Sequence, residues 1–257
     1  MDYGLKGKIA LVTGTASQVG MGKAICLTLA KEGCDIISAD IDLEGAKQTA
    51  TAVKALGRRV IALKVNVAKG SEVDEMVKAT LKEFGKIDIL VNNAGLNAGG
   101  LTPFLESKPD TWEKDIAVNL YGTMNCAKAV IPGMVECKYG KIINLSSVRA
   151  KVGSPNSYAA AKAAILAFTR GLATEFGPSG INVNAIAPGT VSTKFDAGYD
   201  FKGSNREQIF KDTAARLPLR RVQTVEDIAN AVAFLVSDVS KNITGQCLQV
   251  DSGMVML

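Results

Sequence analysis

The residues with the clearest chemical potential are Tyr158 and Lys162, in the run Tyr158-Ala159-Ala160-Ala161-Lys162. Four residues apart on a helix, both side chains share a face. A free phenol has a pKa of about 10 and is a poor base at neutral pH. A neighbouring ammonium favours the phenolate and lowers that value. The pair can then take a proton from an alcohol while hydride leaves carbon. Histidine is absent, which excludes Ser-His-Asp hydrolysis and most zinc catalysis, and no metal site is expected. A Tyr-x-x-x-Lys spacing also arises by chance on exposed helix faces, so it needs neighbours. Ser146-Ser147, Asn92-Asn93-Ala94-Gly95 and Pro188-Gly189-Thr190 each follow a short apolar run. Turn chemistry puts such residues at strand ends, but it does not restrict them to one edge of a sheet.

A departing hydride needs an acceptor. After the apolar run 9–12 comes Thr13-Gly14-Thr15-Ala16-Ser17-Gln18-Val19-Gly20-Met21-Gly22. Glycines in such a loop let backbone approach a pyrophosphate at the start of a helix. A plain strand-to-helix turn is the alternative; the strand, helix, strand context favours the dinucleotide. Asp40 closes the next apolar run. A carboxylate there accepts hydrogen bonds from an adenosine ribose and repels a 2′-phosphate. No Arg or Lys lies within 14–22. The expected cofactor is therefore NAD rather than NADP, with Asp42 competing for the ribose role.

These residues must be positioned by an alternation of apolar strands and amphipathic helices. Strands are expected over 9–12, 35–39, 60–65, 87–91, 141–145, 181–186 and 246–250. Helices are expected over 23–32, 43–56, 71–84 with Ser71 as N-cap, 119–137, 158–175 and 224–236. Val- and Ile-rich strands separated by helices require a parallel sheet covered on both faces. The fold class is α/β: a single Rossmann-type domain over 1–257, a three-layer sandwich around a doubly wound parallel sheet of about seven strands. Its ligand belongs outside the carboxyl ends of the strands. Segment 192–218 breaks the pattern; it is long and polar and follows a strand end, as a substrate lid does.

Composition narrows the classes further. The chain has 257 residues, 47% of them hydrophobic and 21% charged, an ordinary globular balance. The net charge of +5 is spread along the chain, so no nucleic-acid partner is expected. Neither a signal peptide nor a run of about 18 apolar residues is present, so no membrane span is expected. The five cysteines form no C-x-x-C pair; free thiols point to a reducing, cytoplasmic setting.

Taken together, the motifs resemble the short-chain dehydrogenase/reductase family along essentially the whole chain. The matching pieces are Thr13-Gly14 to Gly20-Met21-Gly22, Asp40, Asn92-Asn93-Ala94-Gly95, Val118-Asn119-Leu120-Tyr121-Gly122, Ser147, Tyr158 with Lys162, Pro188-Gly189 with Thr193, and Ile243-Thr244-Gly245. The resemblance implies an NAD-dependent dehydrogenase acting on CH–OH groups, an alcohol dehydrogenase or, in reverse, a ketoreductase. Tyr158 would be the acid/base, Ser147 would hold the reacting oxygen, and Lys162 would bind the nicotinamide ribose. Asn119 would position a water that relays protons. Cofactor contacts would come from Gly14, Ser17, Gln18, Gly20, Met21, Gly22, Asp40, Ile41, Asn66, Val67, Asn93, Ala94, Gly95, Pro188, Gly189, Val191 and Thr193, besides Tyr158 and Lys162. The resemblance also implies a homotetramer.

This sequence departs from the family pattern in four places. The glycine loop is two residues longer, so Ser17 or Gln18 is expected to bulge over the phosphates. Asn66 stands where Asp usually meets adenine, Ser147 lies closer to Tyr158 than usual with Ser146 as a substitute, and Ser252 replaces a glycine. The leading function is reversible oxidation of a secondary alcohol to a ketone. The alternatives are 3-oxoacyl thioester reduction, enoyl thioester reduction, and a non-enzymatic dinucleotide-sensing module. Arg149, with Lys151 beyond it, offers a cation to an anionic substrate group; Asn97 and Phe195 are the other candidate pocket residues for a small-molecule alcohol or ketone.

Overall fold

The computed structural model describes residues 2–100, 102–193 and 206–256. Phe195 and the 194–205 part of the expected lid lie outside the described residues. In chain order the elements are β1 (Ile9–Thr13), α1 (Met21–Lys31), β2 (Asp35–Asp40), α2 (Leu43–Lys54), β3 (Val60–Lys64), α3 (Gly70–Phe84), β4 (Ile89–Asn92), α4 (Pro109–Ile116), α5 (Gly122–Cys137), β5 (Gly140–Leu145), α6 (Arg149–Val152), α7 (Ser157–Phe176), β6 (Ile181–Pro188), α8 (Arg206–Arg216), α9 (Val225–Val236) and β7 (Cys247–Val250). All strand pairs are parallel, in the order β3-β2-β1-β4-β5-β6-β7. The order reverses between β1 and β4, which opens the crevice where such sheets bind ligands.

Strands buried on both faces need apolar cover on each side. Ile25 and Leu29 of α1, Val53 of α2, and Val232 and Val236 of α9 pack on one face. Val73 and Val77 of α3, Val130 and Met134 of α5, and Leu172 of α7 pack on the other. This is the three-layer sandwich expected from the strand and helix pattern.

Three local expectations change. Ser71 does not cap α3: the helix starts at Gly70, with Lys69 at the cap position and no side-chain cap bond. Asn119 does not start a helix. It lies in a π-helical turn, Ala117–Tyr121, that joins α4 to α5. Its Nδ2 donates to the Asp115 carbonyl at 2.8 Å, and a side chain competing for a helix carbonyl is a recognised cause of such bulges. The third change is α8, which occupies 206–216 of the expected lid. By contrast, α9 starts as expected, with Thr224 and Asp227 forming a reciprocal capping box.

Candidate active site

Strand β5 ends at Leu145, and the two serines follow. Ser146 Oγ donates to the Lys162 carbonyl at 2.8 Å, so its hydroxyl is committed to α7. Ser147 is 8% exposed, and its Oγ accepts from the Arg149 N–H at 3.3 Å, which leaves its proton to donate elsewhere. Of the two, Ser147 is the serine with chemistry to spare. Helix α7 starts just before Tyr158 because Asn156 caps it, its side chain accepting from the Ala159 N–H at 2.8 Å. Tyr158 and Lys162 are both buried. Lys162 Nζ lies 5.6 Å from the centre of the Tyr158 ring, close enough for a cation–π contact, and donates to the Leu145 carbonyl at 2.7 Å. Burial pushes the Lys162 ammonium down to about 7.

Asn119 is fully buried. It pins the loop after β4 at two points: Nδ2 donates to the Leu96 carbonyl at 2.6 Å, and Oδ1 accepts from the Leu96 N–H at 3.3 Å. Gly95 shows how closely this loop approaches. A Cβ there would sit 3.1 Å from Asn119 Oδ1 and 3.6 Å from Lys162 Nζ. The contact to Asn119 is tight and the one to Lys162 is an ordinary van der Waals contact, so the loop backbone packs directly on both side chains.

The glycine loop forms a cradle of the expected kind. Gly14 has φ +74°, and a Cβ on it would lie 2.7 Å from Ala94 Cα. A Cβ on Gly22 would lie 2.1 Å from the Gly14 carbonyl oxygen. Asn93 Nδ2 ties the loop down by donating to the Thr13 and Gly14 carbonyls, each at 2.9 Å. Gly20 is the N-cap of α1 with no side-chain cap bond. The first N–H groups of α1 therefore stay available to an anion. Asn93 Oδ1 is buried without a partner among the described residues, a spare acceptor at the same loop. These features fit a dinucleotide.

The two aspartates separate by role. Asp42 caps α2, accepting from the Glu44 and Gly45 N–H groups at 3.1 and 3.2 Å. Asp40 is half-buried at the end of β2. It accepts from Ala16 N–H at 2.8 Å and Asp42 N–H at 3.0 Å. Each carboxylate oxygen keeps a second lone pair for a ribose hydroxyl, and Ile41 beside it is exposed. The inserted residues behave differently from the expected bulge. Gln18 Nε2 turns back to the Ala16 carbonyl at 2.8 Å and to the Gly45 carbonyl of α2 at 3.1 Å. Lys23 then donates to Gln18 Oε1 at 2.8 Å. Ser17 accepts through its carbonyl from the Gly20 N–H at 3.0 Å, which shapes the turn into Met21. The insertion is thus anchored to α2 through Gln18.

Asn66 Oδ1 accepts from the Ala68 N–H at 3.1 Å, with Val67 buried beside it against Gly122. Asn97 is buried, and its Oδ1 shapes the loop by accepting from the Gly100 N–H at 3.1 Å. After β6, Pro188 and Gly189 end the strand. A Cβ on Gly189 would meet the backbone Cα of Asp251 at 2.9 Å, so this close approach requires glycine. Val191 forms a parallel bridge with Gln223, and Thr193 is buried two residues on. Arg149 opens α6, directly past Ser147. Two buried residues here, Gln223 and Asp115, belong to none of the sequence motifs. Asp115 precedes Asn119 by one helical turn, and that spacing was its available signal. Gln223 gave none, because it lies in an irregular segment.

No helix among the described residues is long and apolar enough to cross a membrane. Among the same residues no group of three or more potential His, Cys, Asp or Glu ligands is placed to hold a metal.

Comparison with known proteins agrees with this geometry. A family model described as enoyl-(acyl carrier protein) reductase matches residues 14–255. The 3-oxoacyl-acyl-carrier-protein reductase FabG of Staphylococcus epidermidis is 39% identical over 255 residues, covering 97% of this chain and 99% of that protein. Subunit BbsD of the (2S)-((R)-hydroxy(phenyl)methyl)succinyl-CoA dehydrogenase of Thauera aromatica is 40% identical over 253 residues, covering 97% of each chain. The solved structure of an NAD+-bound xylitol dehydrogenase superposes with a TM-score of 0.88 at 30% identity, covering 97% of this chain and 99% of that one. The chain is an oxidoreductase for a nicotinamide cofactor and a small-molecule substrate, and it belongs to the short-chain dehydrogenase/reductase family.

Proposed function

We propose that the chain interconverts a secondary alcohol and a ketone with NAD, and that its substrate is a 3-hydroxyacyl or 3-oxoacyl thioester. The observation that carries the chemistry is the buried Tyr158–Lys162 pair beside Ser147 at the carboxyl edge of the sheet. In alcohol oxidation Ser147 donates a hydrogen bond to the reacting oxygen and Tyr158 takes its proton. Lys162 favours the phenolate while it is an ammonium. Its depression to about 7 places it between ammonium and amine near neutral pH, so it can also pass the proton onward. Asn119 orients a water on that route. The bound nicotinamide supplies the hydride acceptor or donor. It would be held by the 14–22 loop, Asp40, the 93–95 turn, Lys162 and the 188–193 segment.

The thioester assignment rests on the relatives. FabG and BbsD, of different organisms, are both named for acyl thioester substrates. Helix α6 adds Arg149 and Lys151 just past Ser147, cations of the kind that meet carrier phosphates. NAD is favoured by Asp40, which repels a 2′-phosphate. Enoyl reduction is named by the family model, but the four-residue spacing of Tyr158 and Lys162 favours the alcohol–ketone reaction. The functional unit is one catalytic domain over 1–257, assembled as a homotetramer.

The test is coupled turnover of acetoacetyl-coenzyme A, crotonyl-coenzyme A and a panel of secondary alcohols with each nicotinamide cofactor. NADH-dependent reduction of acetoacetyl-coenzyme A is expected to lead, and Tyr158→Phe should lower it by at least about 100-fold. Near-normal turnover by Tyr158→Phe overturns the proton role. Tighter binding of NADP than NAD overturns the role of Asp40.

A further inference from the structure

Asp115 is fully buried on α4, the one buried residue of that helix. A buried carboxylate is costly unless donors surround it, and its partners show what the position does. Oδ1 accepts from the Ala98 N–H at 2.6 Å, and Oδ2 accepts from the Ser157 hydroxyl at 2.6 Å. Its carbonyl accepts from Asn119 Nδ2 at 2.8 Å. Among the described residues no cation pairs with it in a salt bridge.

Each partner belongs to a different part of the site. Ala98 lies in the loop that carries Gly95 against Lys162. Ser157 is the first residue of α7 and the neighbour of Tyr158. Asn119 sits on the π-helical turn and pins the same loop at Leu96. We infer that Asp115 is a positioning residue for the reaction: its two carboxylate oxygens clamp the 94–98 loop to the start of α7 and so hold that loop, with Gly95, against the Tyr158–Lys162 face. Two hydrogen bonds at 2.6 Å from separate elements to one side chain hold those elements in a fixed relation. Small misplacement of an acid/base costs large factors in rate.

The inference rests on the assignment of Tyr158 as the proton-transfer residue, so Tyr158→Phe is measured beside it. The variants are Asp115→Leu, Asp115→Asn, Ser157→Ala and the Asp115→Leu/Ser157→Ala double, with NADH-dependent reduction of acetoacetyl-coenzyme A as the activity. If that compound is not turned over, the alcohol of the panel with the fastest turnover takes its place. Asp115→Leu and Ser157→Ala should lower kcat by about 10- to 100-fold, and NADH affinity in Ser157→Ala should stay within about twofold. The acid limb of the kcat profile for alcohol oxidation should move to higher pH in both, because the freed 94–98 loop lets water reach Lys162 and weakens its hold on the Tyr158 phenolate. Asn keeps an acceptor for Ala98 and turns an amide donor to Ser157, which can accept, so Asp115→Asn should recover most of kcat. The double variant should be no slower than the slower single, since both break one clamp. The inference is overturned if Ser157→Ala keeps its kcat and pH profile, or if the two losses multiply in the double. Ser157→Ala decides the matter where Asp115→Leu does not fold. Loss of activity in Tyr158→Phe with unchanged Asp115 and Ser157 variants would remove this inference alone.

Discussion

Two buried lysines mark the two edges of the sheet, and their surroundings differ in kind. Lys141, at the amino end of β5, is 3% exposed, and Lys162, past the carboxyl end, is 4% exposed. Lys141 donates to Asn182 Oδ1 at 2.8 Å. Its ammonium is pushed down by burial, and the charge of Asp238 pulls it back. Around it the amino edge holds charges that are paired. Asp88 accepts from Lys86 at 3.0 Å and from the Ile9 N–H at 2.8 Å, and Asp35 binds Arg58 and Arg59 at 2.7 and 3.0 Å. Lys162 has a single carbonyl and no opposing charge among the causes of its shift. The amino edge spends its charges on holding strands together. The carboxyl edge keeps a charge that the fold by itself leaves uncompensated, which suits a group that must change partners during a reaction.

That contrast is sharpest in Lys162→Met. Activity should fall by about 1,000-fold, because Tyr158, the proposed base, loses its neighbouring cation. Stability should move the other way. The folded value near 7 lies below the unfolded value of about 10.4, so between them the unfolded chain binds more protons than the folded one. Stability of the cofactor-free wild type therefore rises with pH from about 7 to 10, by up to about 1.4 kcal/mol per unit from this group. It gains nothing further above that window, and below it the full penalty persists. Lys162→Met lacks the penalty, so it should melt higher than wild type at pH 7, and the difference should shrink towards pH 10. Thermal melts of both proteins across that range measure it. A variant that melts lower at pH 7 contradicts the comparison.

The glycine cradle at the carboxyl edge can be tested by a methyl group. In Gly22→Ala the new Cβ meets the Gly14 carbonyl at 2.1 Å, so the loop must move, and NADH affinity should fall at least about tenfold, or 1.4 kcal/mol. Gly171, in α7, has nothing within 4 Å of a built Cβ. Gly171→Ala should leave NADH affinity unchanged and stabilise the helix by about 0.5–1 kcal/mol. Fluorescence titration with NADH, read beside thermal melts, separates the two outcomes.

The same division explains how far the sequence could be read. The seven strands announce themselves because continuous Val and Ile runs have few other uses in a doubly covered sheet. Tyr158, Lys162, Gly14 and Gly22 were legible because their roles depend on residue type and spacing along one element. Helix α4 was not, since it is only eight residues long and Asp115 is its one buried residue. The fold of Gln18 is hidden from the sequence for a related reason. Its partners, Gly45 and Thr49, lie on another helix, and nothing local to the loop says that the insertion folds onto α2. The Asn119 bulge depends on a side chain choosing a carbonyl one turn back, a choice that helix periodicity conceals.

A loss of stability with no change in turnover tests the amino edge. Asp35 is 7% exposed and accepts three hydrogen bonds: from Arg58 Nη2 at 2.7 Å, from the Arg59 N–H at 3.1 Å and from Arg59 Nε at 3.0 Å. These bonds hold the turn before β3 against the start of β2. In Asp35→Ala the Arg59 side chain, 58% exposed, returns to water, while Arg58, 26% exposed, loses a partner it cannot fully replace. The loss should be about 1–3 kcal/mol, a fall in Tm of several degrees for a chain of this size. The turnover number should not change, because Asp35 stands at the far end of β2 from Asp40 and no group at the carboxyl edge bonds to it among the described residues. If Asp35→Ala slows turnover while the protein remains fully folded, charge at the amino edge reaches the chemistry, and the division of labour between the two edges fails.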